Sequence, residues 1–384
     1  MYSWRQRSNN NMKKQKIVLI GPVYPYKGGI SHYTGQMCRE LSKTNDVEMI
    51  SYKMQYPKFL FHKEQRDYEN DSFKVDKTKY LINTANPFNI IKTARYIKKL
   101  KPDKVIVQWW HPYFAPCYIL LRWFMGRQKL IYVCHNVFPH ERFPMDKKLT
   151  QLTLKGGKHY ILHAKEEAKE LLKIKKDARY TITPHPTYNM FRFEGMSKQE
   201  ARKKIGISED EKLLLFFGFV RPYKGLKHLL NAIPVINKKL EKVKLLVVGD
   251  FDNDRQTYSE IIERLGISSN VIIKDGYTPD REVEKYFAAC DLVVLPYESA
   301  TQSGIVQIAY GFEKPVVVTE VGGLPDVVTD QKTGYVVPPM QPQALADAIV
   351  RYYDENKEDF MIKNIKEEAY RFSWERMAEI VENI

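Results

Sequence analysis

KLLLFFGFVRPYKGLKHLLNAIPVINKKLEKVKLLVVGD, residues 212–250, decides the fold. Its first eight residues are almost continuously apolar, as in a strand covered on both faces. LKHLLNAIPVINKKL (226–240) has helical periodicity, and KLLVVGD (244–250) is a second buried strand. Strand, helix and strand in so short a span imply parallel pairing through a crossover helix.

The same grammar runs outward in both directions. Downstream, NVIIKDG (270–276), DLVVLPY (291–297) and KPVVVTE (314–320) read as strands with helical segments between them. QALADAIVRYYDE (343–355) is a late helix, and SWERMAEIVENI (373–384) is another, with Ser373 as N-cap. Upstream, KIVLI (16–20), VEMISY (47–52), KVIVQW (104–109), KLIYVC (129–134) and KHYILH (158–163) are strands. Segments 30–41, 89–100 and 164–173 are helices, and YTITPHP (180–186) closes the series. The fold class is therefore α/β, with two doubly wound, Rossmann-like domains whose ligands belong at the carboxyl ends of the strands and in the cleft between them. The expected division is a basic tail (1–15), an N-terminal domain (16–188), a C-terminal domain (189–365) and a last helix (366–384).

Composition narrows the function. Of 384 residues, 43% are hydrophobic and 28% charged, which excludes disorder and fibrous classes. The net charge is +15, divided as +20 over residues 1–190 and −5 over 191–384. Such a split points to different partners for the two halves, an anionic surface being one for the first. No apolar run reaches the roughly 18 residues of a spanning helix. Segment 112–126 is the most apolar and reads as a core helix or, less often, an interfacial one. The polar start has no hydrophobic core of a secretory signal. Cys38, Cys117, Cys134 and Cys290 are widely spaced, as structural thiols of a reducing cytoplasm would be.

Three loops carry chemistry. GPVYPYKGGISHY (21–33) lacks the GxGxxG fingerprint but sets Gly28 and Gly29 before a helix, where backbone N–H groups can approach an anion. FFGFVRPYKGL (216–226) ends a strand at Gly218 and then supplies Arg221 and Lys224, two cations suited to a diphosphate. LPYESATQSGIVQIAYGFEKPVVVTEVGG (295–323) places Thr301, Gln302, Ser303 and Gly304 just before a helix, a polar turn suited to phosphate or sugar oxygens.

Together with LLVVGD and YFAACDLVVLPY, these segments resemble the family 4 glycosyltransferases of the GT-B fold, also described as group 1 glycosyl transferases. The resemblance runs from about residue 16 to the end and is strongest over 212–340. It implies sugar transfer from a nucleotide-diphosphate sugar to a saccharide or lipid-linked hydroxyl, with retention of configuration, in cell-surface polysaccharide or glycolipid synthesis. It also implies that the last helix crosses back to the N-terminal domain. Arg221 and Lys224 would grip the donor diphosphate, Gly28 and Gly29 would approach its phosphates, and Gly218 and residues 301–304 would surround diphosphate and sugar. Backbone near Tyr277 would meet the base, Glu298 lies nearest the place of a family glutamate, and His111 in WWHPYFAP (109–116) falls at the reaction centre. Two positions depart from the family pattern. Ile308 stands before Ala309 where a glutamate is usual, and Phe219 follows Gly218 where an arginine is usual.

No cofactor and no metal are expected. Asp250, Asp252 and Asp254 form a DxD-like series, but in a polar loop. His159 and His163 flank a strand-like segment, and His135, His140 and Glu141 surround Pro139. None of these reads as a metal set. His135 with Asn136 is read as structural, at the edge of the acceptor pocket. The competing readings are a glycoside phosphorylase, a nucleotide-sugar 2-epimerase, or a non-enzymatic basic protein binding a membrane or nucleic acid. The last lacks any nucleic-acid-reading motif, so nucleic acid is not expected as a partner. The location implied is cytoplasmic, with the basic half against the inner face of an anionic membrane.

Overall fold

The computed structural model describes residues 14–58, 60, 64–68, 71–126, 128–139, 144–252 and 254–384. Most of the basic tail, and His140 with Glu141, therefore lie outside the described residues. The chain forms two compact units, Met1–Ile161 with Leu171–Thr181 and Ala378–Ile384, and Leu162–Glu170 with Ile182–Met377.

The first unit is built on a seven-stranded sheet of β1 (Lys16–Ile20), β2 (Asp46–Met54), β3 (Lys79–Asn83), β4 (Lys104–Trp109), β5 (Leu130–Cys134), β6 (His159–Leu162) and β7 (Tyr180–Ile182). The order is β3-β2-β1-β4-β5-β6-β7, and β1 to β5 pair in parallel. Its helices are α1 (Gly29–Leu41), α2 (Pro87–Leu100), α3 (Ala115–Met125) and α4 (Asp146–Leu154), and α5 (Lys165–Ile174) is divided, with Leu171–Ile174 in this unit. Apolar β1, β4 and β5 form the buried centre, as their sequence requires. Helix α2 starts where Pro87 presets φ and the Asn86 side chain accepts from Asn89 N at 3.0 Å.

The second unit has a six-stranded parallel sheet of β8 (Lys212–Phe217), β9 (Val243–Gly249), β10 (Val271–Asp275), β11 (Leu292–Leu295), β12 (Val316–Thr319) and β13 (Gly334–Val337), ordered β10-β9-β8-β11-β12-β13. Its helices are α6 (Lys198–Ile205), α7 (Leu226–Asn237), α8 (Arg255–Arg264), α9 (Asp280–Ala289), α10 (Gly304–Gly311), α11 (Leu324–Val327), α12 (Pro342–Asp354) and α13 (Glu358–Glu367), and α14 (Trp374–Asn383) begins in this unit. Leu229, Leu230, Ile233 and Ile236 of α7 join one core with β8, β9 and α12. Buried Asp291 ties the unit together. It accepts from Arg202 Nη2 at 2.9 Å, Leu213 N at 2.7 Å and the Tyr353 hydroxyl at 3.1 Å.

Ser373 caps α14, accepting from Arg376 N at 3.0 Å. The far end of α14 belongs to the first unit, where Lys104 Nζ donates to the carbonyls of Val381 (2.6 Å) and Glu382 (2.8 Å). A cation on the C-terminal carbonyls of a helix complements its dipole. Two strands escape the sequence reading, β3 and β13, both at sheet edges.

Candidate functional site

Each sheet reverses its winding once, and the loops singled out in the sequence sit at that reversal. In the second unit the switch lies between β8 and β11, and ligands of open α/β sheets bind there, at the carboxyl ends. The 218–225 loop leaves β8 and the 296–304 loop leaves β11. They are locked together, since Glu298 N donates to Tyr223 O at 2.7 Å. Gly225 holds φ +65°, and a Cβ there would stand 1.9 Å from Pro296 O, so only glycine permits this approach.

Lys224 is partly buried under these loops. Its ammonium lies 5.7 Å from the centre of the Tyr297 ring and 3.1 Å from where a Gly218 Cβ would be. Among the described residues it makes no ion pair. Burial pushes its pKa down to about 8, with neighbouring Arg221 adding to the effect. Arg221 is in extended backbone at the start of a short 3-10 turn (Pro222–Lys224). Its guanidinium donates to Val220 O, lies 3.7 Å from Asp252 Oδ2 and packs over the Phe219 ring. Phe219, at the position where the resemblance expects an arginine, thus supports one two residues later.

Ser303 is the N-cap of α10, its hydroxyl accepting from Ile305 N at 3.2 Å and lying 3.3 Å from the Tyr297 hydroxyl. Gly304 begins the helix. Thr301 O accepts from Gly323 N at 2.8 Å, and Gly322 holds φ +53° beside Ala300 O. Two helix starts, α7 and α10, with the positive ends of their dipoles, therefore flank Lys224 and Arg221. Gln302 lies in the same turn.

Glu298 is already engaged. Its Oε1 accepts from Lys227 Nζ and from His228 Nε2, each at 2.9 Å, and these bonds, Lys227 first, hold its pKa below the ordinary value. Sequence reasoning missed Lys227 and His228, although one turn of helix after Gly225 is the signal. Tyr277 is exposed after β10 and Gly276, away from this cluster in sequence but at the same edge of the sheet.

In the first unit the switch lies between β1 and β4. The β1 loop carries Gly28, φ +100°, the N-cap of α1, and Gly29, its first residue, both exposed. The β4 loop carries His111. His111 Nδ1 accepts from Tyr113 N at 3.1 Å, which places the proton of the neutral ring on Nε2. Burial lowers its pKa, so it is neutral at physiological pH. His135 Nε2 is held 2.8 Å from Gln108 Oε1, with its ring edge-on to Tyr33.

The three carboxylates of the DxD-like series do not converge. Asp250 Oδ1 accepts from Asp252 N, and Asp254 precedes α8. His159 lies at the start of β6 and bonds the Thr181 hydroxyl. Among the described residues no three His, Cys, Asp or Glu side chains are grouped to hold a metal ion.

Residues 197–370, within the second unit, match the family model described as glycosyl transferases group 1. The D-inositol 3-phosphate glycosyltransferase of Mycobacteroides abscessus is 31% identical over 225 residues, covering 57% of this chain and 49% of that protein. The chain spans about half the length of the curated relatives it matches. Among solved structures, sucrose-phosphate synthase from Thermosynechococcus elongatus aligns at TM-score 0.72 and 19% identity over 96% of this chain and 98% of its own. Anabaena Alr3699/HepE in complex with UDP-glucose aligns at 0.70 and 18%, over 96% and 100%. These likenesses establish the GT-B fold.

Proposed function

We propose that this chain is a group 1 glycosyltransferase, of family 4 type, that moves a sugar from a nucleoside-diphosphate sugar to a hydroxyl of a saccharide or lipid-linked acceptor with retention. One observation carries the reading. Lys224 and Arg221, with the starts of α7 and α10, form a cationic cradle at the switch point of a sheet whose sequence matches that family. The UDP-glucose held by HepE, a protein of the same fold, supports a nucleotide-sugar donor.

The chemistry follows from charge. As the bond between the sugar C1 and the diphosphate oxygen breaks, negative charge grows on the leaving group. Lys224, Arg221 and the backbone N–H groups of 302–304 stabilise it without reorganisation. The reading also assigns Gly28 and Gly29 to the donor phosphates, as the resemblance implies, Gly218 leaves room for Lys224, and Tyr277 is assigned to the base. Glu298, the carboxylate of this loop, is held by Lys227 and His228 and is not assigned as a nucleophile. In this reading the acceptor hydroxyl attacks C1 on the departing face, and its proton passes to the leaving phosphate oxygen. His111, neutral with Nε2–H, donates to a sugar or phosphate oxygen at the reaction centre. The cations of the chain supply the positive charge, and the reading uses neither cofactor nor metal.

No helix among the described residues is long and apolar enough to cross a membrane. The reading places the enzyme in the cytoplasm, peripheral on an anionic membrane surface, in polysaccharide or glycolipid synthesis. The test is thermal shift with UDP, GDP, ADP and dTDP, followed by nucleotide release from the matching sugar donors. Stabilisation by one nucleotide, lost in Arg221→Ala with Lys224→Ala, is expected. Stabilisation by none, or binding retained in the double variant, overturns it.

A further inference from the structure

Helix α3 is apolar on both sides. Cys117, Tyr118, Leu121 and Met125 are buried, as a core-facing stripe should be. The opposite stripe, Pro116, Ile119, Leu120, Trp123 and Phe124, faces outward. Pro116, Trp123 and Phe124 are exposed, Trp123 by 66%. A surface helix normally turns charge to water on that side. Its neighbours do the reverse of neutralising it. Helix α2 packs along one flank of α3 and α4 along the other. The outer stripe of α2 is Phe88, Lys92, Arg95 and Lys99, at spacings of four, three and four, and Phe88 is 84% exposed. The outer stripe of α4 is Lys148, Leu152 and Lys155 of the turn that follows, all exposed. Lys98 closes the end, its chain 3.9 Å from where a Gly126 Cβ would be. Helices α2 to α4 contain one acidic residue, Asp146, and it is buried. None of these lysines forms an ion pair among the described residues.

We propose that the α2–α3–α4 face is a membrane-docking surface that inserts Trp123 and Phe124 at the headgroup boundary of an anionic bilayer, with Lys92, Arg95, Lys98, Lys99, Lys148 and Lys155 on the lipid phosphates. The occupant follows from charge and form. Exposed aromatics suit the interface between water and acyl chains, where amphipathic rings prefer to sit. The flanking cations form no ion pair among the described residues and match the negative surface potential of the leaflet. The segment whose sequence reads as a core helix is both core and interfacial, one role on each side. This deepens the peripheral-membrane element of the proposed function and is independent of the transfer reaction.

The experiment is sedimentation of the whole chain with vesicles of phosphatidylcholine, alone or mixed with phosphatidylglycerol. Binding to the mixed vesicles only, falling with added salt, is expected. Trp123→Ser with Phe124→Ser should weaken it at least tenfold. Lys98→Ala with Lys99→Ala should weaken it about 25-fold, at about fivefold per lysine. Phe360→Ser on α13, an equally exposed aromatic in the other unit, should change nothing. Quenching of tryptophan fluorescence by brominated lipid, lost in Trp123→Phe, reports insertion directly. Nucleotide thermal shift in every variant separates this outcome from the catalytic reading, because it should stay at the wild-type value throughout. Equal binding to both vesicle types, no binding at all (as for a protein partner), or unchanged binding by the α3 variant overturns the proposal.

Discussion

The cradle is costly to the empty protein, and Lys224→Met measures that cost. Burial and Arg221 lower the Lys224 amine from 10.5 to about 8. At neutral pH the ammonium still forms, so the folded state carries the penalty. One unit of depression is about 1.4 kcal/mol, which sets a ceiling of about 3 kcal/mol. The side chain retains some water contact, and an effective dielectric well above the dry-protein value leaves about 1–2 kcal/mol. Methionine fills the same volume beside Tyr297 without the charge. The variant should therefore melt about 2–6 °C higher in the absence of nucleotide. The sign with pH is fixed. A base whose folded pKa lies below its unfolded one destabilises the fold most below about pH 8. The penalty fades as pH climbs toward 10.5, so the two melting curves should converge in alkaline buffer. A diphosphate reverses the shift by favouring the ammonium, so wild-type nucleotide affinity should decline as pH rises past about 8. In the variant the nucleotide-induced rise should vanish. Differential scanning fluorimetry across pH, with and without the nucleotide, reads both effects. A variant no more stable than wild type would refute the penalty, and a retained nucleotide shift would refute the contact.

Other outcomes follow from single geometries. Gly225→Ala should lower stability by about 2 kcal/mol or more and dislodge the cradle, since its Cβ meets Pro296 O and φ is +65°; chemical denaturation with nucleotide titration checks it. Glu284 is buried and accepts from Phe193 N, Glu194 N and Met196 N at 2.7–2.8 Å, so Glu284→Ala should cost about 3 kcal/mol, with Glu284→Gln restoring part of it in urea melts. Lys104→Ala removes the side-chain donor of Val381 O and leaves Glu382 O with Gln15 Nε2 alone, which should cost about 1–2 kcal/mol, with faster hydrogen exchange confined to residues 374–383. His111→Ala should lower kcat by about a hundredfold, with nucleotide binding kept. In the wild type kcat should hold through neutral pH and fall as His111 protonates in acid, because Nδ1 then no longer accepts from Tyr113 N and the ring loses its anchor.

What the sequence discloses is what a local pattern can carry. The apolar runs of β1, β4, β8, β9 and β11 are central strands, and burial on both faces makes them visible. KYLIN and GYVV are not visible, because an edge strand can do without a long apolar run and these two lack one, whereas β10, also at an edge, keeps Val271, Ile272 and Ile273. Ser303 and Ser373 are legible as caps because a cap bonds within three residues. The long-range pairings are not legible. Lys104 meets α14 across 277 residues, and Gly225 needs to be glycine only because Pro296 lies above it. The same limit governs the chemistry. The family resemblance sets Glu298 near the place of a family glutamate, and so suggests a contact with the donor. In three dimensions Lys227 and His228 reach it first. A carboxylate holding two bonds from α7 is a brace between the two loops of the switch point, just as Glu298 N to Tyr223 O is a brace of the backbone. Position in a motif thus locates the site, while the partners a side chain has already taken decide what it is left to do.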